Sequence, residues 1–302
     1  MRIGLPLLVL VVACSSPSSG PSVQAPDAAP IDATTSDSDA ATNPAPTLPT
    51  PTGTCPALAS GDVVFAPAGI PPRKVKLALD AAKLGQGPLI FYWHATGSSP
   101  LEASYSLGAT QKAIVASGGV VATPYADPAA GQFEWFVVNG SSKTDDFVLA
   151  DEVVACFAQQ KLIDGSRIHS MGMSAGALQT TAFGFARATY IASVATYSGG
   201  VPPGFTPTNA APANKFAALI FDGGATDTAF MVDFKAASET YKALLDAAGH
   251  FTAICDHGKG HTIPLDAAPS VATFFAANPY GAWPSPYKAA GLPTTFPSYC
   301  AR

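Results

Sequence analysis

Three side chains in this sequence have the types and the order that nucleophilic catalysis needs: Ser174, then Asp227, then His261. A serine hydroxyl is a weak nucleophile until a base takes its proton. The base works best when an acid fixes its tautomer and orientation. Ser174 is the centre of Gly172-Met173-Ser174-Ala175-Gly176, a G-x-S-x-G run. The segment Arg167-Ile168-His169-Ser170-Met171 precedes it and reads as a short buried strand; an Ala-rich segment at 175–187 follows and reads as a helix. Glycines on both sides permit a strand-to-helix turn tight enough to hold the Ser174 Oγ above the end of a sheet.

The base is expected at His261, in the Gly-rich run His257-Gly258-Lys259-Gly260-His261-Thr262-Ile263-Pro264, with His257 as its rival. The acid is expected at Asp227, in Phe221-Asp222-Gly223-Gly224-Ala225-Thr226-Asp227-Thr228. Asp222 and then Asp233 are the alternatives; at a strand end Asp222 has the competing task of bonding turn N–H groups. A tetrahedral oxyanion needs donors, and the first is expected from the N–H of Ala175, the residue after the nucleophile. The second is expected from the loop His94-Ala95-Thr96-Gly97-Ser98-Ser99, with Thr96 as the donor and Ala95 as the alternative. His94 reads as structural. Tyr125, Phe133, Trp135 and Phe136 are aromatic candidates for a pocket, of which Tyr125 and Trp135 are taken as substrate-binding. Packing beneath loops is their competing reading. The stretches 197–200 and 202–212 are candidates for a small cap that limits acyl-group size.

The elements that must carry these residues follow a strand–helix alternation. Residues 62–67 and 74–80 read as an antiparallel edge hairpin, and Pro88 to Trp93 as a strand buried on both faces. Further strands are expected at 119–124, 191–197, 215–221 and 251–255. Helices are expected at 107–117, 145–160, 230–248 and 265–277. The acidic start of 145–160 suits a helix dipole. This order predicts an α/β fold: an open, mostly parallel sheet with helices on both faces and an antiparallel N-terminal edge hairpin.

Hydrophobic residues make up 48% of the chain and charged residues 12%, so a large core and a neutral surface are expected. A net charge of −5 argues against nucleic acid or anionic lipid as a partner. His257 and His261 lack the helical context of a zinc protease, and no metal-ligand spacing appears. Met1 and Arg2 precede an apolar run at 3–13 that reads as a signal peptide. Val11-Val12-Ala13-Cys14 resembles a bacterial lipobox. The resemblance implies lipidation at Cys14 and an exported protein anchored to the cell envelope by acyl chains; the alternative is an ordinary signal peptide and secretion. Residues 14–54 are Ser, Pro, Ala, Thr and Asp with almost no large apolar residue, the composition of a disordered tether. Residues 55–302 are then one catalytic domain, expected as a monomer. Cys55, Cys156, Cys255 and Cys300 remain for disulfides, and Cys55 with Cys300 is the expected pair because domain termini often meet.

Together, GMSAG at 172–176, WHATGSS at 93–99, FDGGATDT at 221–228 and HGKGHTIP at 257–264 resemble the α/β-hydrolase superfamily. Within it they are similar to secreted poly(3-hydroxybutyrate) depolymerases and feruloyl esterases, over about residues 60 to 280. The resemblance implies a serine esterase that forms an acyl-enzyme, needs no cofactor or metal, and acts on a small or polymeric ester. Ala95 stands where that family more often has Gly, and Ala177 replaces a frequent third Gly after the elbow. A serine peptidase or acyltransferase on the same fold is the alternative, and a non-catalytic surface-binding lipoprotein the next.

Overall fold

The computed structural model describes residues 45–207 and 213–302. The expected signal peptide, the expected lipidation site at Cys14 and most of the expected tether lie outside the described residues. The strands are β1 (Gly61–Phe65), β2 (Arg73–Ala78), β3 (Leu89–Trp93), β4 (Val120–Pro124), β5 (Ile168–Met173) and β6 (Ser193–Tyr197). They continue with β7 (Ala217–Asp222), β8 (Thr228–Ala229), β9 (Val232–Asp233), β10 (Phe251–Asp256) and β11 (Cys300–Ala301). One sheet runs β1-β2-β4-β3-β5-β6-β7-β10-β11. From β4 to β10 every neighbouring pair is parallel. The hairpin β1–β2 joins antiparallel at one edge, as expected, and β11 adds an antiparallel edge at the other.

Alternation along the buried strands splits the core in two. In β3, Leu89, Phe91 and Trp93 point into one layer and Ile90 and Tyr92 into the other. Helices α1 (Glu102–Leu107), α2 (Ala109–Ala116) and α6 (Ala268–Ala277) give apolar residues to the Ile90 side. Helices α3 (Asp145–Gln159), α4 (Ala175–Ala186) and α5 (Phe234–Ala247) give theirs to the Phe91 side. A short helix, α7 (Tyr287–Ala290), lies near the end of the chain. Both faces are therefore covered, which is why the central strands read as continuous apolar runs.

Several expectations are corrected. The helix expected at 107–117 is α2, at Ala109–Ala116, and an unforeseen helix, α1, precedes it, the two parted where Gly108 takes a φ of 51°. The helix expected from 230 starts at Phe234, because β8 and β9 form a hairpin ahead of it. Asp233 is its N-cap and accepts the Ala236 N–H at 2.9 Å. The disulfides are Cys55–Cys156 and Cys255–Cys300, not Cys55–Cys300. Antiparallel pairing of β11 on β10 sets Cys300 opposite Cys255. The packed body also begins upstream of Cys55. The Thr47 N–H reaches the Thr189 carbonyl at 2.8 Å, and Thr52 and Gly53 donate to the buried Glu152 carboxylate at 2.8 and 2.9 Å. No helix of the described residues is long and apolar enough to cross a membrane.

Candidate active site

Ser174 stands between β5 and α4 with φ 55° and ψ −119°, a conformation that L residues avoid. The turn is enforced by close backbone approach. A Cβ on Gly176 would lie 1.9 Å from the Trp93 carbonyl oxygen, and one on Gly172 would lie 2.6 Å from the same atom. The elbow thus presses against the end of β3, where the 94–99 loop begins. The extra methyl of Ala177 is accommodated on the other side, where a Cβ on residue 199 would come within 2.7 Å of it and a glycine stands instead.

The three chemistry-bearing residues meet. The Ser174 Oγ and His261 Nε2 are 2.9 Å apart, and His261 Nδ1 is 2.7 Å from Asp227 Oδ1. Ser174 and Asp227 are buried, and the imidazole ring lies against Phe234, with ring centroids 4.6 Å apart. The Asp227 loop and the His261 loop touch through their glycines. The Gly260 N–H donates to the Gly223 carbonyl at 2.9 Å, and a Cβ on Gly223 would sit 2.0 Å from the Gly260 oxygen. The second oxygen of Asp227 accepts the Ser198 hydroxyl at 2.8 Å and the Gly223 N–H at 2.7 Å. Burial alone would raise the Asp227 carboxyl, but the His261, Gly223 and Ser198 donors outweigh it and hold it below the usual range. An ionised Asp227 against Nδ1 leaves Nε2 to accept the serine proton.

The rivals have other tasks. His257 is buried, and its Nδ1 accepts the Lys259 N–H at 3.2 Å. Asp222 accepts the Gly224 N–H at 3.0 Å, which is the turn-bracing task expected of it, while its Oδ2 has no hydrogen bond. Burial, with nearby Asp256 and Asp227 adding to it, pushes the Asp222 carboxyl up to about 6 against the pull of the Gly224 N–H and Lys235. A folded-state value above the unfolded one of 3.8 means that the fold favours the proton. Stability from this group is full below about pH 4 and is lost as the pH rises through 6. Asp222→Asn keeps an acceptor for Gly224 without the charge. It should raise the melting temperature at pH 8 and leave it nearly unchanged at pH 4, as read by thermal melts at both values.

A cleft of about 320 Å³ opens beside Ser174. Thr96 and Ala175 line it, so both expected oxyanion residues flank the nucleophile. Its apolar wall includes Phe133, Val138, Leu178, Phe205, Phe230 and Phe234, of which Phe133 was foreseen by name and Phe205 as part of the 202–212 stretch. Phe133 and Phe230 meet edge to face across it at 5.3 Å. Pro202 and Pro203 also line it, so the first part of the expected cap at 202–212 does border the cleft; 208–212 lie outside the described residues. Tyr125 and Trp135, expected to touch substrate, do not line the cleft. Tyr125 turns to the edge hairpin, where its hydroxyl donates to Asp62 at 3.0 Å. Trp135 is fully buried under the 94–99 loop and donates to the His94 carbonyl at 3.0 Å. Phe136 is buried as well, its N–H held by Asp146, which also pairs with Arg73 at 2.7 Å. That buried pair fixes the segment on which Phe133 and Val138 reach the cleft. The one group of potential metal ligands among the described residues, Cys55, Glu152 and Cys156, consists of a disulfide and a carboxylate already bonded to Thr52 and Gly53.

A parallel sheet covered on both faces, with a strained serine at a strand end and its partners on later strand-end loops, is the α/β-hydrolase fold. Among solved structures, the chain is similar to native pOPH at 16% identity and a TM-score of 0.64, covering 82% of this chain and 96% of that one. It is also similar to a ferulic acid esterase at 14% identity and a TM-score of 0.52, covering 71% of this chain and 95% of that one. Acylaminoacyl peptidase from Pyrococcus horikoshii gives 12% identity and a TM-score of 0.52, over 72% of this chain but 41% of that one. No protein-family model and no curated protein sequence matches the chain.

Proposed function

We propose that this protein is an exported serine esterase that cleaves neutral esters with an apolar or aromatic acyl group. One observation carries the reading: the Ser174–His261–Asp227 line opens on a cleft lined, among the described residues, by no charged side chain. In this scheme the Ser174 Oγ attacks the ester carbonyl while His261 Nε2 takes its proton. The oxyanion is held by the N–H groups of Ala175 and Thr96, and the first N–H of a helix has no intrahelical partner to compete. Collapse breaks the bond to the alkoxide, which leaves with the proton from His261 as the alcohol. Water then repeats the sequence on the acyl-enzyme and frees the acid, with Asp227 ionised throughout. Export, through an anchor at Cys14 or by secretion, rests on the lipobox-like sequence and the tether composition.

The test is a substrate panel of p-nitrophenyl butyrate, methyl ferulate, hydroxybutyrate oligomers, a p-nitrophenyl ester with a terminal carboxylate on its acyl chain, and a blocked peptide amide. Neutral esters should be turned over. The charged acyl chain should lose about tenfold or more in kcat/KM, because the cleft offers it no counter-charge. Preference for the amide would replace the reading with a peptidase, and preference for the charged ester would remove the substrate class.

A further inference from the structure

The loop that carries Thr96 is gripped by two carboxylates from outside it. The Ala95 N–H lies 3.1 and 3.3 Å from the two oxygens of Glu102, which also accepts the Tyr92 hydroxyl at 3.1 Å. On the other side, the Gly97 N–H donates to Glu134 Oε1 at 2.9 Å. The second Glu134 oxygen faces His94 Nδ1 at 3.2 Å. The Ser98 N–H is taken by the Ala95 carbonyl at 3.0 Å. Glu134 holds this position with a φ of 68°, which a residue with a Cβ adopts only under constraint. Beneath it, Trp135 is fully buried and bonded to the His94 carbonyl.

We propose that Glu102 and Glu134 are positioning residues that claim the N–H groups on either side of Thr96, leaving the Thr96 N–H as the donor aimed at the oxyanion. The proposal rests on the esterase reading. It removes Ala95 as the alternative donor, since its N–H is already engaged by Glu102. A loop free to rotate would present its donors in changing directions, and an oxyanion donor helps only when fixed in advance. The grip matters for the transition state, because the ground-state carbonyl leans on these donors less.

Glu134→Ala frees the Gly97 N–H. In p-nitrophenyl butyrate hydrolysis it should lower kcat roughly 10- to 100-fold, at or below the loss seen when an oxyanion donor is removed outright. KM should stay within about twofold, and affinity for a trifluoromethyl ketone that mimics the tetrahedral state should fall with kcat. Glu134→Gln keeps an acceptor for Gly97 and takes a negative charge away from the developing oxyanion, so kcat should be restored to the parent value or above it. Glu134→Asp, which withdraws the acceptor by one methylene, serves where the alanine variant does not fold and should show the same split. Unchanged kcat and inhibitor affinity in Glu134→Ala, or a glutamine variant as slow as the alanine one, would overturn the proposal while the esterase reading stands. Absence of ester turnover by the unsubstituted protein would remove both.

Discussion

Ser174→Ala should lower ester turnover by at least about four orders of magnitude while the protein melts at nearly its original temperature. The two halves of this expectation come from different links. The hydroxyl is the atom that bonds to carbon, and no other serine, threonine or cysteine side chain lies within hydrogen-bond reach of His261 Nε2 among the described residues. Alanine keeps the φ of 55° no better and no worse than serine, and the His261 side chain is about 20% exposed, so solvent can satisfy the freed imidazole nitrogen. What survives should be the modest assistance of the oxyanion donors. Adding His261→Ala to the variant should cost little more, because nucleophile and base act as one unit. Steady-state hydrolysis, labelling by a fluorophosphonate probe and a thermal melt check the three statements. Retained turnover with an intact fold would mean that another group is the nucleophile.

Gly176→Ala is the substitution expected to damage the fold most. The added methyl would meet the Trp93 carbonyl oxygen at 1.9 Å, its carbon at 2.4 Å and the His94 oxygen at 2.7 Å. All three are main-chain atoms, so no side chain can turn aside, and β3 or α4 must move. A loss of more than about 3 kcal/mol is expected, in the upper range of overpacking changes. Gly184→Ala on the same helix is the control. There the new methyl meets side-chain atoms alone, Val194 at 3.1 Å and the Phe216 ring at 3.5 Å, and the gain in helix propensity offsets the crowding to within about 1 kcal/mol. Denaturant unfolding of the two variants gives the comparison. Equal stabilities would show that the elbow does not depend on contact with β3. If Gly176→Ala still folds, its activity should fall as well, because the residues it displaces begin the Thr96 loop.

The four loops that carry Ser174, Asp227, His261 and Thr96 could be read from the chain because each follows a strand-like run and begins a turn with its own chemistry. The mostly parallel sheet and its helix-covered faces followed from the same apolar runs, most clearly at Leu89–Trp93, whereas the order of strands within the sheet did not. Other features had weaker signals. Phe230 and Met231 both have positive φ, at 49° and 64°, in a two-residue hairpin turn where Asn-Gly would be the usual signature. Their apolar character made the segment look like the first turn of α5, although Asp233 was available as an N-cap. The disulfide pairing depended on β11, a strand of two residues with no periodicity to detect. The cleft wall comes from single residues on several loops, which only the folded arrangement collects. Trp135 illustrates the remaining difficulty: an aromatic near an active loop can equally be its foundation, and here it is.

The β8–β9 hairpin leaves the chain at Asp227 and returns at Phe234, where the Phe234 N–H closes onto the Asp227 carbonyl at 2.9 Å. Between these fixed posts it contributes Phe230 to the cleft and holds Met231 fully exposed at its tip. On the proposed esterase reading, bond-breaking and substrate choice are therefore written in separable stretches of one short segment. The tip can change in length or composition while Asp227 and the Phe234 ring against His261 keep their places.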